Sequence, residues 1–239
     1  MESSFLAYLL FIKKYILLIF LVSYSFILIS QNPCSNTKEF GFKEICMPEF
    51  DNMKECYDEE LHKLYADEFK GTAEEIILAF YISENDYSDF YLNILNEKQV
   101  LNDPYCKIYS TTLVKDVYID ESNLDFLEES IIKYMEQVDD SFSLTEKLNE
   151  IMKESNVTFQ APLLLDHYKT IDNIRTVVSL LYYTMDAEIV KMTTIMHLIV
   201  IKNRLFFMAC YEEYNDFASI KEMEKKSNFY AEELLMINK

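Results

Sequence analysis

The chain has 239 residues and a formal net charge of −19, with 22 Lys and Arg against 41 Asp and Glu. A surface this acidic repels phosphate backbones and anionic lipid, which excludes nucleic acid as a partner. Half of the residues are hydrophobic and 15% aromatic, which excludes global disorder.

Lys13 and Lys14 stand before an uncharged apolar run of 16 residues, 15–30. This pattern reads as an export signal. The run is shorter than the roughly 20 residues that span a bilayer comfortably. Residues 5–12 are apolar as well, so an uncleaved N-terminal anchor is the alternative. Ser30 suits a cleavage site, whereas Leu28 does not. Both readings place residues 31–239 outside the cytoplasm. Without residues 1–30, the chain carries 20 basic and 40 acidic residues, a net charge of −20.

Residues 31–39 form a polar leader, and residues 40–239 are expected to form a single α/β domain. Residues 40–47 read as a first strand closed by Pro48. Residues 59–69 read as a short helix with Leu61, Leu64, Tyr65 and Phe69 on one side, ended by Gly71. Residues 75–83 form a second strand, apolar enough to lie inside a sheet. Residues 84–104 are polar, aromatic and punctuated by Asn and Asp, and give no element. Residues 105–119 look like another strand. Ser122 opens a helix in an imperfect capping box with Asp125, and its buried stripe is Leu124, Leu127, Ile131, Tyr134 and Val138. A shorter helix follows Ser143, with Leu144, Leu148, Ile151 and Met152 inward.

Three β-rich runs, 175–185, 188–201 and 204–211, are separated by Asp186-Ala187 and Lys202-Asn203, the short connections of antiparallel hairpins. In the middle run Val190, Met192, Met196, Leu198 and Val200 share one face. The other face mixes Lys191, Thr193 and His197 with Ile195 and Ile199, so it is expected to be only partly covered. A last helix starts near Asp216 with a Ser219…Glu222 capping box. Its stripe is Ile220, Met223, Ser227, Tyr230, Leu234 and Ile237. The expected fold class is α+β: an antiparallel sheet with long C-terminal hairpins, covered by helices that include a C-terminal one.

Residues 177–186, 189–202, 205–211 and 217–237 resemble the PsbP-like α/β/α sandwich. Residues 40–48 followed by 76–82 are a weaker second match. The resemblance implies a small exported or lipid-anchored protein with a binding or assembly role, and it brings no catalytic residues.

Motif chemistry is sparse. Gly41 and Gly71 are the two glycines. A phosphate loop, a dinucleotide fingerprint and a nucleophile elbow all need glycine where backbone turns sharply or approaches a ligand, so none fits. The five cysteines are Cys34, Cys46, Cys56, Cys106 and Cys210. Cys46 and Cys56 flank a turn containing Pro48 and Asp51-Asn52, which permits a disulfide between them. Cys106 and Cys210 read as small buried hydrophobes. His62, beside Glu60 and Lys63, reads as solvated. Asp166 and His167 are strand neighbours and point to opposite faces, which argues against a dyad. His197, on the more polar face of a central strand, is the residue an enzyme would use as general acid or base, provided that it faces a cleft. Acidic groups at Asp51-Asn52, 57–60, Glu84, Asp86, Asp89, Asp139-Asp140 and Glu212-Glu213 lack the calcium-loop pattern and read as solvated loops. No catalytic, cofactor-binding or metal residue is assigned. The sequence points to an exported, non-enzymatic binding or accessory protein with a protein partner, a basic one being one option. It meets a membrane only through residues 5–30 if these are uncleaved. An immunity-type protein against a basic toxin, or an enzyme with a hidden site, are the alternatives.

Overall fold

The computed structural model describes residues 34, 36–68, 70–95, 104–137, 157–159, 162–185 and 188–239. The chain separates into two compact units, residues 1–35 and 36–239, and the elements below belong to the second. The export signal or anchor and the helix expected after Ser143 lie outside the described residues. Among the described residues no helix is long and apolar enough to cross a membrane.

The fold is α+β. Strands β1 (Asn36–Phe40) and β2 (Lys43–Met47) form a separate hairpin. The main sheet holds β3 (Met53–Glu55), β4 (Glu75–Ser83), β5 (Tyr105–Thr111), β6 (Val157–Phe159), β7 (Leu163–Ile171), β8 (Ile174–Met185), β9 (Glu188–Ile201) and β10 (Arg204–Glu213). Its order is β3-β4-β5-β10-β9-β8, with β6 and β7 sharing the outer place beside β8, and every pair is antiparallel. Helices α1 (Glu60–Glu68), α2 (Glu84–Leu95) and α3 (Glu121–Gln137) pack on one face. On the other, α4 (Phe217–Met236) packs together with the β1–β2 hairpin.

Strand alternation sends successive side chains to opposite faces. On β9, Ile195, Ile199 and Ile201 join α4 residues Ile220, Met223, Tyr230 and Leu234 in one core. Leu198 and Val200 join Leu124 of α3, with Leu127, Ile131 and Met135 packed around them. The 193–199 face, expected to be partly covered, is sealed, because α4 lies across it. Arg175 of β8 clamps α3 to the sheet: its Nε donates to Asp125 Oδ1 at 2.7 Å, and Nη1 donates to the carbonyls of Ile171 and Asp172. The chain end is tied to β2 by Asn238, which accepts from Cys46 N–H and donates to Cys46 O, both at 2.8 Å.

Several boundaries differ from the sequence expectation. The last residues of the polar leader, 36–39, are strand, because β1 pairs with β2 through Phe40↔Lys43. Residues 84–95, where no element was expected, form α2, started by the Ser83 hydroxyl accepting from Asp86 N–H at 3.0 Å. The run 105–119 is strand only to Thr111, whose side chain then caps a 3₁₀ turn, Thr112–Val114. Asp120, rather than Ser122, caps α3 by accepting from Ser122 N–H, which frees Asp125 for Arg175. The α4 capping box is Asp216 with Ser219 rather than Ser219 with Glu222. At the three helices and the 3₁₀ turn, a polar side chain just before the element took the backbone donor.

Cysteine pairing also differs. Cys106 and Cys210, expected as inert hydrophobes, are bonded to each other between directly paired residues of β5 and β10. Cys46 is disulfide-bonded, as is Cys34. Cys56 is a free, buried thiol, so the Cys46–Cys56 bond does not form.

Candidate functional site

β4 and β5 are apolar strands, yet each carries a charge onto the α1–α3 face of the sheet. Lys107 Nζ donates to Glu75 Oε1 at 2.7 Å, and both residues are buried. The other Glu75 oxygen accepts from Gly71 N–H at 3.0 Å. The ammonium lies 4.5 Å from the centre of the Tyr109 ring. Burial pushes the Lys107 pKa down, and the Glu75 carboxylate opposes that shift. Each partner therefore holds the other in place.

Aromatic residues surround this pair. Tyr105 stacks on Tyr211 at 4.8 Å and Tyr109 on Phe207 at 5.2 Å, across the β5–β10 boundary. The Tyr105 and Tyr109 hydroxyls reach the thioether sulfurs of Met192 and Met196 at 3.9 and 3.7 Å. Burial raises the phenol pKa of Tyr105, Tyr109 and Tyr211, so all three stay neutral. Thr194, paired with Tyr211 on the neighbouring strand, has a buried hydroxyl with no hydrogen-bond partner among the described residues. Ser179 of β8 pairs with Thr194 and is also buried. Flat rings, thioethers, two hydroxyls and a pinned ion pair suit binding of a polar aromatic group better than proton transfer at neutral pH.

The three histidines occupy different places. His62 is fully buried rather than solvated: its ring stacks on Phe90 at 3.9 Å and Tyr87 at 5.2 Å under α2. Its Nδ1 lies 3.0 Å from Glu59 Oε2 but out of line for a hydrogen bond. Burial lowers its pKa, with Glu59 pulling the other way. Cys56 lies at the same corner, donating to Phe80 O at 3.3 Å, and burial raises its thiol far above the usual range. A neutral thiol is a poor nucleophile.

His167 and Asp166 do diverge: His167 Nδ1 meets Glu128 of α3 at 3.1 Å, while Asp166 approaches Lys221 of α4 at 3.9 Å. His197 is fully buried beneath α4. Its Nδ1 meets Thr176 Oγ1 at 2.9 Å, Thr176 meets Thr170 at 2.6 Å, and Nε2 has no partner among the described residues. Desolvation lowers its pKa to about 3. It faces a helix, which removes the condition on which its use as general acid or base depended. Among the described residues no three His, Cys, Asp or Glu side chains gather as a metal site.

Sequence reasoning missed Glu75 and Lys107. The available signal was a charge at an inward position of two strands otherwise built for burial. The chain matches no family model, no curated protein and no solved structure, so nothing there bears on the PsbP-like resemblance.

Proposed function

We propose that the chain is an exported, non-enzymatic binding or accessory protein of the cell envelope or exterior, as the PsbP-like resemblance implies. Its binding surface is the part of the α1–α3 sheet face where Tyr109, Tyr211, Met192 and Met196 remain half-buried. The observation that carries the reading is the state of the cysteines: Cys34, Cys46, Cys106 and Cys210 are disulfide-bonded and Cys56 alone is free. Disulfides persist in oxidising compartments, which agrees with the export signal. The burial of His197 supports a non-enzymatic role by removing the candidate acid or base.

The test is fractionation of the tagged full chain combined with thiol labelling under denaturing, non-reducing conditions. The expected product is in the envelope or exterior fraction and takes up one label, at Cys56. A full-length cytoplasmic product labelled at all five cysteines would overturn the reading. N-terminal sequencing separates a cut signal from a retained anchor. The acidity of residues 31–239, net −20, favours one second reading: an immunity-type protein steered electrostatically to a basic toxin. Association that slows steeply with added salt supports that reading.

A further inference from the structure

Helix α4 buries one side and leaves the other in solvent. Met223, Ser227, Tyr230 and Leu234 point into the core. Successive residues turn by about 100° around a helix, so the side directly opposite is centred on Phe229. Glu222 and Met236 lie on the same stripe, two turns before and two turns after it. Phe229 is 56% exposed and Met236 58%. One exposed ring is ordinary on a protein surface; the charges placed around this one are not.

Lys225 and Lys226 stand one turn before Phe229, and Glu232 and Glu233 one turn after it. The two groups are about 10 Å apart along the axis at ~1.5 Å per residue, whereas pairing within a helix joins residues three or four apart. Among the described residues no ion pair engages Glu222, Lys225, Lys226, Glu232 or Glu233, although Lys221 on the same helix is held by Glu224 at 2.8 Å. Lys226 rests over the Tyr230 ring, 5.9 Å from its centre. Burial and the neighbouring Asp51 both raise the Glu233 pKa, and no cation opposes them. The outward side of α4 is therefore a ring flanked by a basic half and an acidic half, each without an ionic partner in its own chain.

We infer that α4 is the interface of a homodimer, in which two copies of the chain pack α4 against α4, antiparallel, about a two-fold axis at Phe229. A two-fold contact matches a surface with itself. Reversal about residue 229 sets Phe229 on Phe229, Lys226 beside Glu233 of the second copy and Lys225 beside Glu232 of the second copy, and each ion pair occurs twice. A parallel arrangement would set like charges together, so the charge order selects the antiparallel one. The acidic remainder of the surface repels a second copy, but beyond about 8 Å that repulsion is screened at physiological ionic strength, while pairs in contact are retained. The binding surface proposed above lies on the other face of the sheet and stays free in both copies, so the two readings stand or fall separately.

Sedimentation of the full chain over a concentration series should show a reversible monomer–dimer equilibrium. Phe229→Asp should abolish the dimer and leave the far-UV circular dichroism spectrum unchanged, because position 229 lies outside the core. Lys225→Glu with Lys226→Glu makes the outward side of α4 acidic, and Glu232→Lys with Glu233→Lys makes it basic. Each of these two variants is expected to be monomeric by itself, and their equimolar mixture to dimerise. Phe229→Cys should cross-link to its own copy under mild oxidation. Glu222→Cys should not, because reversal about residue 229 sets the two copies of position 222 about 21 Å apart, 14 residues at ~1.5 Å each. Phe126→Cys on α3, 71% exposed on the other side of the sheet, should not cross-link either. A parent chain that stays monomeric, charge variants that still self-associate, a mixture that fails to dimerise, or cross-linking at 222 or 126 equal to that at 229 would each overturn the proposal.

Discussion

A buried titratable side chain couples stability to pH, and His197 does so without a charged partner. Its pKa is about 3 in the folded chain, against an ordinary 6.5. Between those values the unfolded chain binds a proton that the native state refuses, so stability is lost as pH falls below 6.5. The slope is about 1.4 kcal/mol per pH unit over that window. His62, lowered in the same direction, adds to it. Urea denaturation of His197→Leu from pH 7 to pH 4.5 should show a shallower loss of stability than the parent chain. An unchanged slope would mean that the ring is solvated. The Lys107–Glu75 pair makes a different prediction. Lys107→Met alone leaves a buried carboxylate and should cost about 3–5 kcal/mol, whereas Lys107→Met with Glu75→Leu should recover most of that loss. Additive losses would show that the two residues do not depend on each other.

At the element scale, β9 carries the fold because both of its faces are buried against different helices. Leu198 is fully buried on the α3 face. Leu198→Asp should leave no cooperative unfolding transition near neutral pH, since an unpaired buried carboxylate costs several kcal/mol, comparable to the stability of a whole domain. Circular dichroism would check it, and a folded, equally stable variant would reverse the face assignment. The alternation of β8, β9 and β10 was legible in the sequence because those strands are long and rich in β-branched residues or, in β10, in aromatic ones. The covering of the 193–199 face was not. Thr193 and His197 look like part of a wet face until α4 is laid across them, while Lys191 stays exposed. Helix α2 was missed because its 84–95 sequence is rich in Asn, Asp and Tyr, and its packing is through Phe90 onto His62.

For the molecule as a whole, the order of strands matters more than their number. β5 lies between β4 and β10, so a strand from the first half of the chain is built into the C-terminal hairpins. The Cys106–Cys210 bond locks that junction across a sequence separation of 104 residues. Closing so long a loop removes unfolded-state entropy worth about 4–5 kcal/mol in the chain-entropy model. Cys106→Ala with Cys210→Ala should therefore lower stability by about 3–5 kcal/mol. Reduction of the parent chain, which also breaks the bonding of Cys34 and Cys46, should give at least as large a drop in urea. A loss below about 1 kcal/mol would show that the junction is held by packing alone.

The sequence by itself determined the elements whose signals are local: the 75–83 strand, the three C-terminal strands, the last helix and the acidic surface. Periodicity and turn residues act over a few positions, so they can be read without knowing what lies opposite. Tertiary structure alone decided the contacts between residues far apart in the chain. Cys106 found Cys210, Lys107 found Glu75, and His62 and His197 were sealed. Each of these depends on which surface another element brings to that residue, and a single strand or helix carries no record of its neighbour across the sheet.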